Sequence, residues 1–241
     1  MDTDRPTPAY KRVLIKISGE ALMGPSEFGI HTPTVEYICK QVADVKSLGI
    51  ELGLVVGGGN IFRGMKGAER GMDRVTGDNI GMLATVMNSL ALMDMLEQMG
   101  IYTRVMSAVK IEAFAEPYIR RRAIRHMEKG RTVIFAAGTG NPYFSTDTAA
   151  SLRAMEVGAQ LMVKATNVDG VYSADPKKVK DAVFFPTLSY MDVLTKELKV
   201  MDSTSISLLK DNRIPVRVID LSKPGILKQV VLGENVGTLI C

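Results

Sequence analysis

The sequence predicts a three-layer α/β/α fold built on a central, mostly parallel β-sheet. Three observations carry that expectation. Short apolar runs end repeatedly in glycine turns, and amphipathic segments at helical spacing separate one run from the next. The chain is also long enough, at 241 residues with 46% hydrophobic, to fill a core on both faces of a sheet.

Taken in order, Val13, Leu14, Ile15 and Ile17 form the first strand, closed by Ser18-Gly19. Thr32-Pro33 opens a helix in which Val35, Ile38, Cys39, Val42 and Val45 recur at helical spacing, and Gly49 ends it. Ile50 to Val56 is almost continuously apolar, as a strand buried on both faces requires. A helix follows from about Asn79 to Gln98, then a strand from Tyr102 to Met106, and a helix from about Phe114 to Lys129. Thr132 to Ala137 and Leu161 to Ala165 are strands flanking a helix from Thr146 to Val157, and Val216 to Ile219 and Thr238 to Ile240 close the sheet. A polar tail over 1–9 precedes a single domain over 10–241, divided into an N-terminal lobe to about residue 168 and a C-terminal lobe from about 169.

Composition narrows the class. With 23% charged residues and no repeat, the chain is neither disordered, collagen-like nor a coiled-coil rod. Cys39 and Cys241 make no disulfide framework or metal pair, which fits a reducing, cytoplasmic setting. Met1 to Ala9 is too polar for a signal peptide. The apolar stretch between Asp78 and Asp94 falls short of the roughly 20 residues a bilayer helix needs, and it carries Asn79, Thr85, Asn88 and Ser89, so no membrane partner is expected. A net charge of +4 permits anionic ligands without calling for nucleic acid. The dense basic cluster of Arg120, Arg121, Arg122, Arg125, His126, Lys129 and Arg131 is expected to be a solvated helix face.

Three glycine clusters follow predicted strands: Ser18-Gly19, Gly57-Gly58-Gly59-Asn60 and Gly138-Thr139-Gly140-Asn141-Pro142. In an open parallel sheet such loops converge at the carboxyl ends of the strands, where ligands bind. Glycine lets backbone N–H groups approach phosphate oxygens, and a following helix N-terminus adds favourable charge. Three such loops therefore point to a phosphate site. It is not a P-loop, because Pro25-Ser26 follows the Gly19 to Gly24 spacing where Lys and Ser/Thr are required. The dinucleotide pattern begun at Gly57 fails at Phe62. Protein-kinase signatures are missing, and neither His31 nor His126 accompanies a nucleophile elbow.

Lys16-Ile17-Ser18-Gly19-Glu20 and Gly57-Gly58-Gly59-Asn60 with Arg63-Gly64 resemble the amino acid kinase superfamily. Three further segments narrow the resemblance: Asp78 to Thr85 (DNIGMLAT), Thr139 to Thr146 (TGNPYFST), and Lys164 to Tyr172 (KATNVDGVY) continuing to Asp175-Pro176. In order and spacing, from Tyr10 to Ile240, the set is similar to the bacterial uridylate kinase (UMP kinase) family.

That resemblance implies the amino acid kinase fold, an acceptor lobe followed by an ATP lobe, and transfer of the γ-phosphate of ATP to UMP in pyrimidine nucleotide (CTP/UTP) biosynthesis. It implies Lys16 and Arg63 as the catalytic cations, with Asp147 and Asp202 orienting them or a metal-bound phosphate. Ile17, Ser18, Gly19 and Gly59 would complete the ATP-phosphate cradle, with Thr166, Asn167, Tyr172 and Asp175 holding the adenine nucleoside. Gly58 would contact the acceptor, Asp78 the UMP ribose, and Thr139, Gly140, Asn141, Pro142, Tyr143, Phe144, Ser145 and Thr146 the rest of UMP. Read by itself, Asp78 is equally suited to cap a helix. Mg²⁺ would arrive with ATP, with no protein ligand of its own assigned. The resemblance further implies a homohexamer with the Asn79 to Gln98 helix at a dimer contact, inhibition by UTP, and activation by GTP through a loop matching Gly24 to Gly29. Met93, Glu97 and Arg120 stand where other members carry basic or aromatic GTP contacts, while Arg104 and Arg131 remain. The alternatives are a kinase of the same superfamily with a carboxylate acceptor, or a non-catalytic nucleotide sensor; retention of Lys16 and Arg63 speaks against the sensor.

Overall fold

Strand β1 (Arg12–Ile17) lies at the centre of the sheet, hydrogen-bonded in parallel to β2 (Glu51–Val56) on one side and β6 (Leu161–Thr166) on the other. The computed structural model describes residues 6–62, 71–176 and 178–241. Within them the main sheet has nine strands in the order β4-β3-β5-β2-β1-β6-β10-β11-β9. Its other members are β3 (Thr103–Ser107), β4 (Glu116–Pro117), β5 (Thr132–Ala136), β9 (Thr187–Leu188), β10 (Val216–Asp220) and β11 (Thr238–Ile240). All neighbours run parallel except β10 and β11. A separate antiparallel pair, β7 (Val171–Tyr172) and β8 (Phe184–Phe185), forms a small hairpin.

Period-2 alternation assigns the strand side chains to two cores. Val13, Ile15 and Ile17 of β1 pack with α1 (Thr32–Ser47), α2 (Arg74–Gln98) and α7 (Ile226–Val231). Leu14 packs on the opposite face with α3 (Arg120–Glu128), α4 (Thr146–Val157), α5 (Tyr190–Thr195) and α6 (Ser203–Asp211). The result is three layers, as the sequence predicts.

Four local expectations need correction. Helix α2 begins at Arg74, five residues before the apolar run, because Asp73 caps it by accepting from the Thr76 N–H at 2.9 Å. At 25 residues α2 is thus long and apolar enough, by length and composition, to cross a membrane. Its polar Thr85, Asn88 and Ser89 are nonetheless buried against the sheet and loops, and its Leu83 and Met87 face outward. The expected helix from Phe114 is instead edge strand β4 followed by a helix starting at Arg120. Pro117, which would lack a helical hydrogen bond, ends that strand. Between Thr166 and Val216, where no elements were expected, lie β7, β8, β9, α5 and α6; all but the nine-residue α6 are too short to show a clear period. The basic helix face is solvated as expected: Arg120, Arg121, Arg122 and Arg125 lie outside, and α3 buries only Ala123 and Met127.

Candidate active site

Because β1, β2, β5, β6 and β10 are parallel, their carboxyl ends open onto one edge of the sheet. Two glycines show how tightly the loops meet there. A β-carbon on Gly19 would lie 2.7 Å from Gly57 O, Gly59 N and Asn60 Oδ1, and one on Gly58 would lie 2.7 Å from Gly81 O of α2. Neither position accepts a side chain.

A pair of buried amides fixes this junction. Asn60 Nδ2 donates to Asn88 Oδ1 (2.9 Å) and to Gly29 O (2.9 Å), and Asn88 Nδ2 donates to Asn60 Oδ1 (2.7 Å) and to Gly57 O (2.7 Å). Every amide hydrogen of both side chains is used, so the glycine loop is tied at once to α2 and to the Gly24–Gly29 segment.

The charged centre is set by strand register. Lys16 on β1 is the partner of Lys164 on β6, so two ammonium groups leave the sheet side by side on the α4 face. Asp147, in the first turn of α4, lies between them. Its Oδ1 is 3.0 Å from Lys16 Nζ, and its Oδ2 accepts from Lys164 Nζ at 2.6 Å. Lys164 also donates to Val200 O. Burial pushes the Asp147 carboxyl up in pKa, but the Lys16 and Lys164 charges more than offset it and leave it below the ordinary value. The Lys164 ammonium sits below its ordinary value, chiefly through burial and then through repulsion by Lys16, opposed by Asp147.

Helix termini hold these groups in place. Ser145 caps α4, its Oγ accepting from Asp147 N (3.0 Å) and Thr148 N (3.1 Å) while donating to Asp202. Asp202 caps α6 by accepting from Ser205 N at 2.8 Å, and takes a further bond from Thr148 Oγ1 at 2.9 Å. One carboxylate therefore joins the N-termini of two helices beside the lysines.

Two cavities flank this centre. The larger, about 800 Å³, is lined by Lys164, Thr166, Asn167, Tyr172, Asp175 and Val200 among others. The β7–β8 hairpin walls it: Tyr172 packs edge-on against Phe184, with ring centroids 5.3 Å apart, and donates to Asp169 at 2.8 Å. Thr238 pins that hairpin, accepting from Val171 N at 2.8 Å and donating to Phe185 O. The smaller cavity, about 440 Å³, lies over the start of α2 and is lined by Gly58, Gly59, Asp78, Thr85, Thr139, Asn141, Tyr143, Phe144, Ser145 and Thr146. Asp78 does not cap α2; its Oδ2 accepts from Tyr143 N and from Arg74 Nε, each at 2.8 Å.

The structure thus brings together Lys16, Asp147 and Asp202, gathers Thr166, Asn167, Tyr172 and Asp175 at one cavity, and Gly58, Asp78 and most of Thr139 to Thr146 at the other. Gly140 and Pro142 are not among the lining residues, and Gly140 packs on Ala108. Gly59 lines the smaller cavity, not the larger, because it continues the loop that turns onto α2. The Ile17 side chain is fully buried in the core, leaving only its backbone to the site, while Ser18 and Gly19 follow β1 beside Lys16. Arg63 lies outside the described residues. Sequence reasoning gave no role to Lys164 and Thr85, although both stand in the resembling segments, nor to Asn88. The signal for Lys164 was present: a lone lysine in an apolar strand (LMVKAT) that mirrors Lys16 in RVLIKI.

The fold and this paired-lysine centre define a phosphotransferase of the α/β class, and residues 11–220 match the model of the amino acid kinase family. The chain belongs to that family. Among solved structures it is similar to UMP kinase from Bacillus anthracis, at 42% identity over 96% of each chain with a TM-score of 0.93. It is also similar to UMP kinase from Ureaplasma parvum, at 35% identity over 95% of this chain and 98% of that one (TM-score 0.90). Uridylate kinase from Archaeoglobus fulgidus matches at 28% identity, over 95% and 99%, with a TM-score of 0.74.

Proposed function

We propose that this chain is a uridylate kinase, transferring the γ-phosphate of ATP to UMP to give ADP and UDP for pyrimidine nucleotide synthesis in the cytoplasm. The observation that carries this is the Lys16–Asp147–Lys164 centre between two cavities of nucleotide size. Asp147 marks the junction: its partner Lys164 lines the larger cavity, and its neighbours Ser145 and Thr146 line the smaller.

An oxygen of the UMP phosphate attacks the γ-phosphorus in line, and the bond from that phosphorus to the β,γ-bridging oxygen breaks, leaving ADP. The acceptor's second pKa of about 6 makes it mostly dianionic at neutral pH, so no strong general base is needed. The obstacle is repulsion between polyanions; two unit charges 4 Å apart repel by about 4 kcal/mol at an effective dielectric of about 20. Lys16 and Lys164 face that charge, with Arg63 as a third cation, while Asp147 and Asp202 keep the lysines and the α4 N-terminus aimed at it. Backbone N–H groups of Ser18, Gly19 and Gly59 line the phosphate path. Tyr172, Thr166, Asn167 and Asp175 receive the adenine nucleoside, and Gly58, Asp78 and the 139–146 loop receive UMP.

Among the described residues no group of three His, Cys, Asp or Glu gathers as a metal cage. Asp147 and Asp202 are already engaged by lysines, hydroxyls and a backbone N–H, a donor set that suits a metal carried by the nucleotide on phosphate and water ligands. Mg²⁺ bound in that way would spread the triphosphate charge.

UTP inhibits by occupying the UMP cavity. Activation by GTP is disfavoured: Arg104 is paired with Glu97 (3.4 Å) and Glu116 (3.7 Å), and Arg131 is engaged by His126 at 2.9 Å. The outward Leu83 and Met87 of α2, 51% and 54% exposed, suit contact with a second copy, as a homohexamer of dimers requires. The test is ADP release from Mg-ATP with a panel of acceptors. Strong turnover with UMP, little with CMP and none with aspartate, glutamate or acetylglutamate is expected; equal CMP and UMP rates, or no UMP turnover, would refute the assignment.

A further inference from the structure

The loop that closes the smaller cavity leaves β5 in an unusual way. Ala137, its first residue, has φ +62°, and Tyr143, near its end, has φ +73°, both in the left-handed region where a β-carbon crowds the backbone. Neither is a glycine. Each has its N–H held by a side chain from the same helix: Ala137 N donates to Thr85 Oγ1 at 2.8 Å, and Tyr143 N donates to Asp78 Oδ2 at 2.8 Å. Strained conformations persist where their surroundings over-determine them, and here α2 does so at both ends of one loop.

Thr85 is the buried end of this arrangement. Its hydroxyl donates to Met82 O of its own helix at 2.7 Å, which turns a lone pair toward Ala137 N. Thr85 is 5% exposed and Ala137 is fully buried, so no water can replace the bond cheaply. Thr85 also lines the cavity, as do Gly138, Thr139 and Asn141 just beyond the turn. Without the hydroxyl, Ala137 would be left with an orphaned N–H in a disfavoured conformation. Relaxing to negative φ would swing the residues that follow it.

We propose that Thr85 is a positioning residue that straps Ala137 in its left-handed turn and thereby sets the acceptor side of the active site, with no part in holding ATP. This rests on the assignment of the smaller cavity to UMP. The larger cavity shares no lining residue with the strap, so the effect should be confined to one substrate.

The experiment compares steady-state kinetics of wild type, Thr85→Val, Thr85→Ser and Thr85→Val/Ala137→Gly, varying UMP and ATP separately. Valine keeps the shape and removes the acceptor. The expected result is a KM for UMP raised at least tenfold with the KM for ATP within twofold. Serine should restore UMP KM to within threefold of wild type. Glycine at position 137, which takes positive φ without strain, should recover a substantial part of the loss in the valine background. Should Thr85→Val fail to accumulate as folded protein, Thr85→Ala, which cannot overpack, carries the same expectation. An unchanged UMP KM, or UMP and ATP KM values rising together with no rescue by serine, overturns the inference. A wild-type protein that does not phosphorylate UMP overturns the functional assignment and this inference with it; a wild type active on UMP beside an unaffected Thr85→Val overturns the inference alone.

Discussion

Lys164 Nζ lies 2.6 Å from Asp147 Oδ2, on the opposite side of the carboxylate from Lys16. The carboxylate lets two like charges share a desolvated site, so a single group sets the separation of both cations. Lys16→Ala and Lys164→Ala should each lower kcat by about 10²–10³-fold, the scale for losing one preorganised charge-stabilising donor. UMP binding, measured by calorimetry without ATP, should survive both. Turnover left unchanged by either substitution would remove that lysine from the mechanism.

The same centre predicts a pH dependence. A lysine whose folded pKa is depressed, as at Lys164, gives up its proton as pH rises through that lowered value, before an ordinary lysine does. Activity should therefore decline on the alkaline side below the usual lysine range, while this group's contribution to stability rises over the same interval. Asp147 acts in the same direction but in the acid range: its depressed value contributes stability that is full above the ordinary carboxylate pKa and is lost as pH falls through the folded pKa. Profiles of kcat against pH check this, because Lys164→Arg, charged throughout, should shift the alkaline limb upward.

Asn88→Asp is isosteric but removes the donors to Gly57 O and Asn60 Oδ1 and sets a carboxylate against both oxygens. A loss of about 2–4 kcal/mol is expected in denaturant unfolding. Residual folded enzyme should show a further fall in kcat, since the glycine loop loses its tie to α2. Wild-type stability in this variant would mean that the amide pair is dispensable.

Leu83→Glu with Met87→Glu should leave the far-ultraviolet circular dichroism unchanged and reduce the sedimenting mass. Both side chains point outward and contribute little to the monomer core. An undiminished mass would place the subunit contact elsewhere.

Much of this was legible in the sequence, for reasons that differ by element. Strands β1, β2, β5 and β6 announced themselves as apolar runs ending in glycine or a polar turn, because a strand covered on both faces has little room for polar residues. The start of α2 was obscured because Asp73 to Gly77 carries no apolar periodicity and its cap acts through one hydrogen bond. Asp78, Tyr143 and Thr139 were given roles through motif resemblance, whereas Thr85, though it ends the same segment as Asp78, and Asn88 looked like interruptions of an apolar helix. Their importance lies in hydrogen bonds to residues 52 and 31 positions away, which no local pattern encodes. Lys164 was overlooked for a related reason: only the parallel pairing of β1 with β6 makes it the neighbour of Lys16.

That pairing has a further consequence. Successive residues of a strand face opposite sides of the sheet, so a one-residue slip between β1 and β6 would send one ammonium group into the apolar layer beneath α1 and α7 and leave the other alone beside Asp147. Catalytic competence and correct zippering of the sheet's central strands are therefore a single event. The specific activity of a refolded sample counts the molecules whose central strands have found their proper alignment, a quantity that secondary-structure signals, blind to register, do not report.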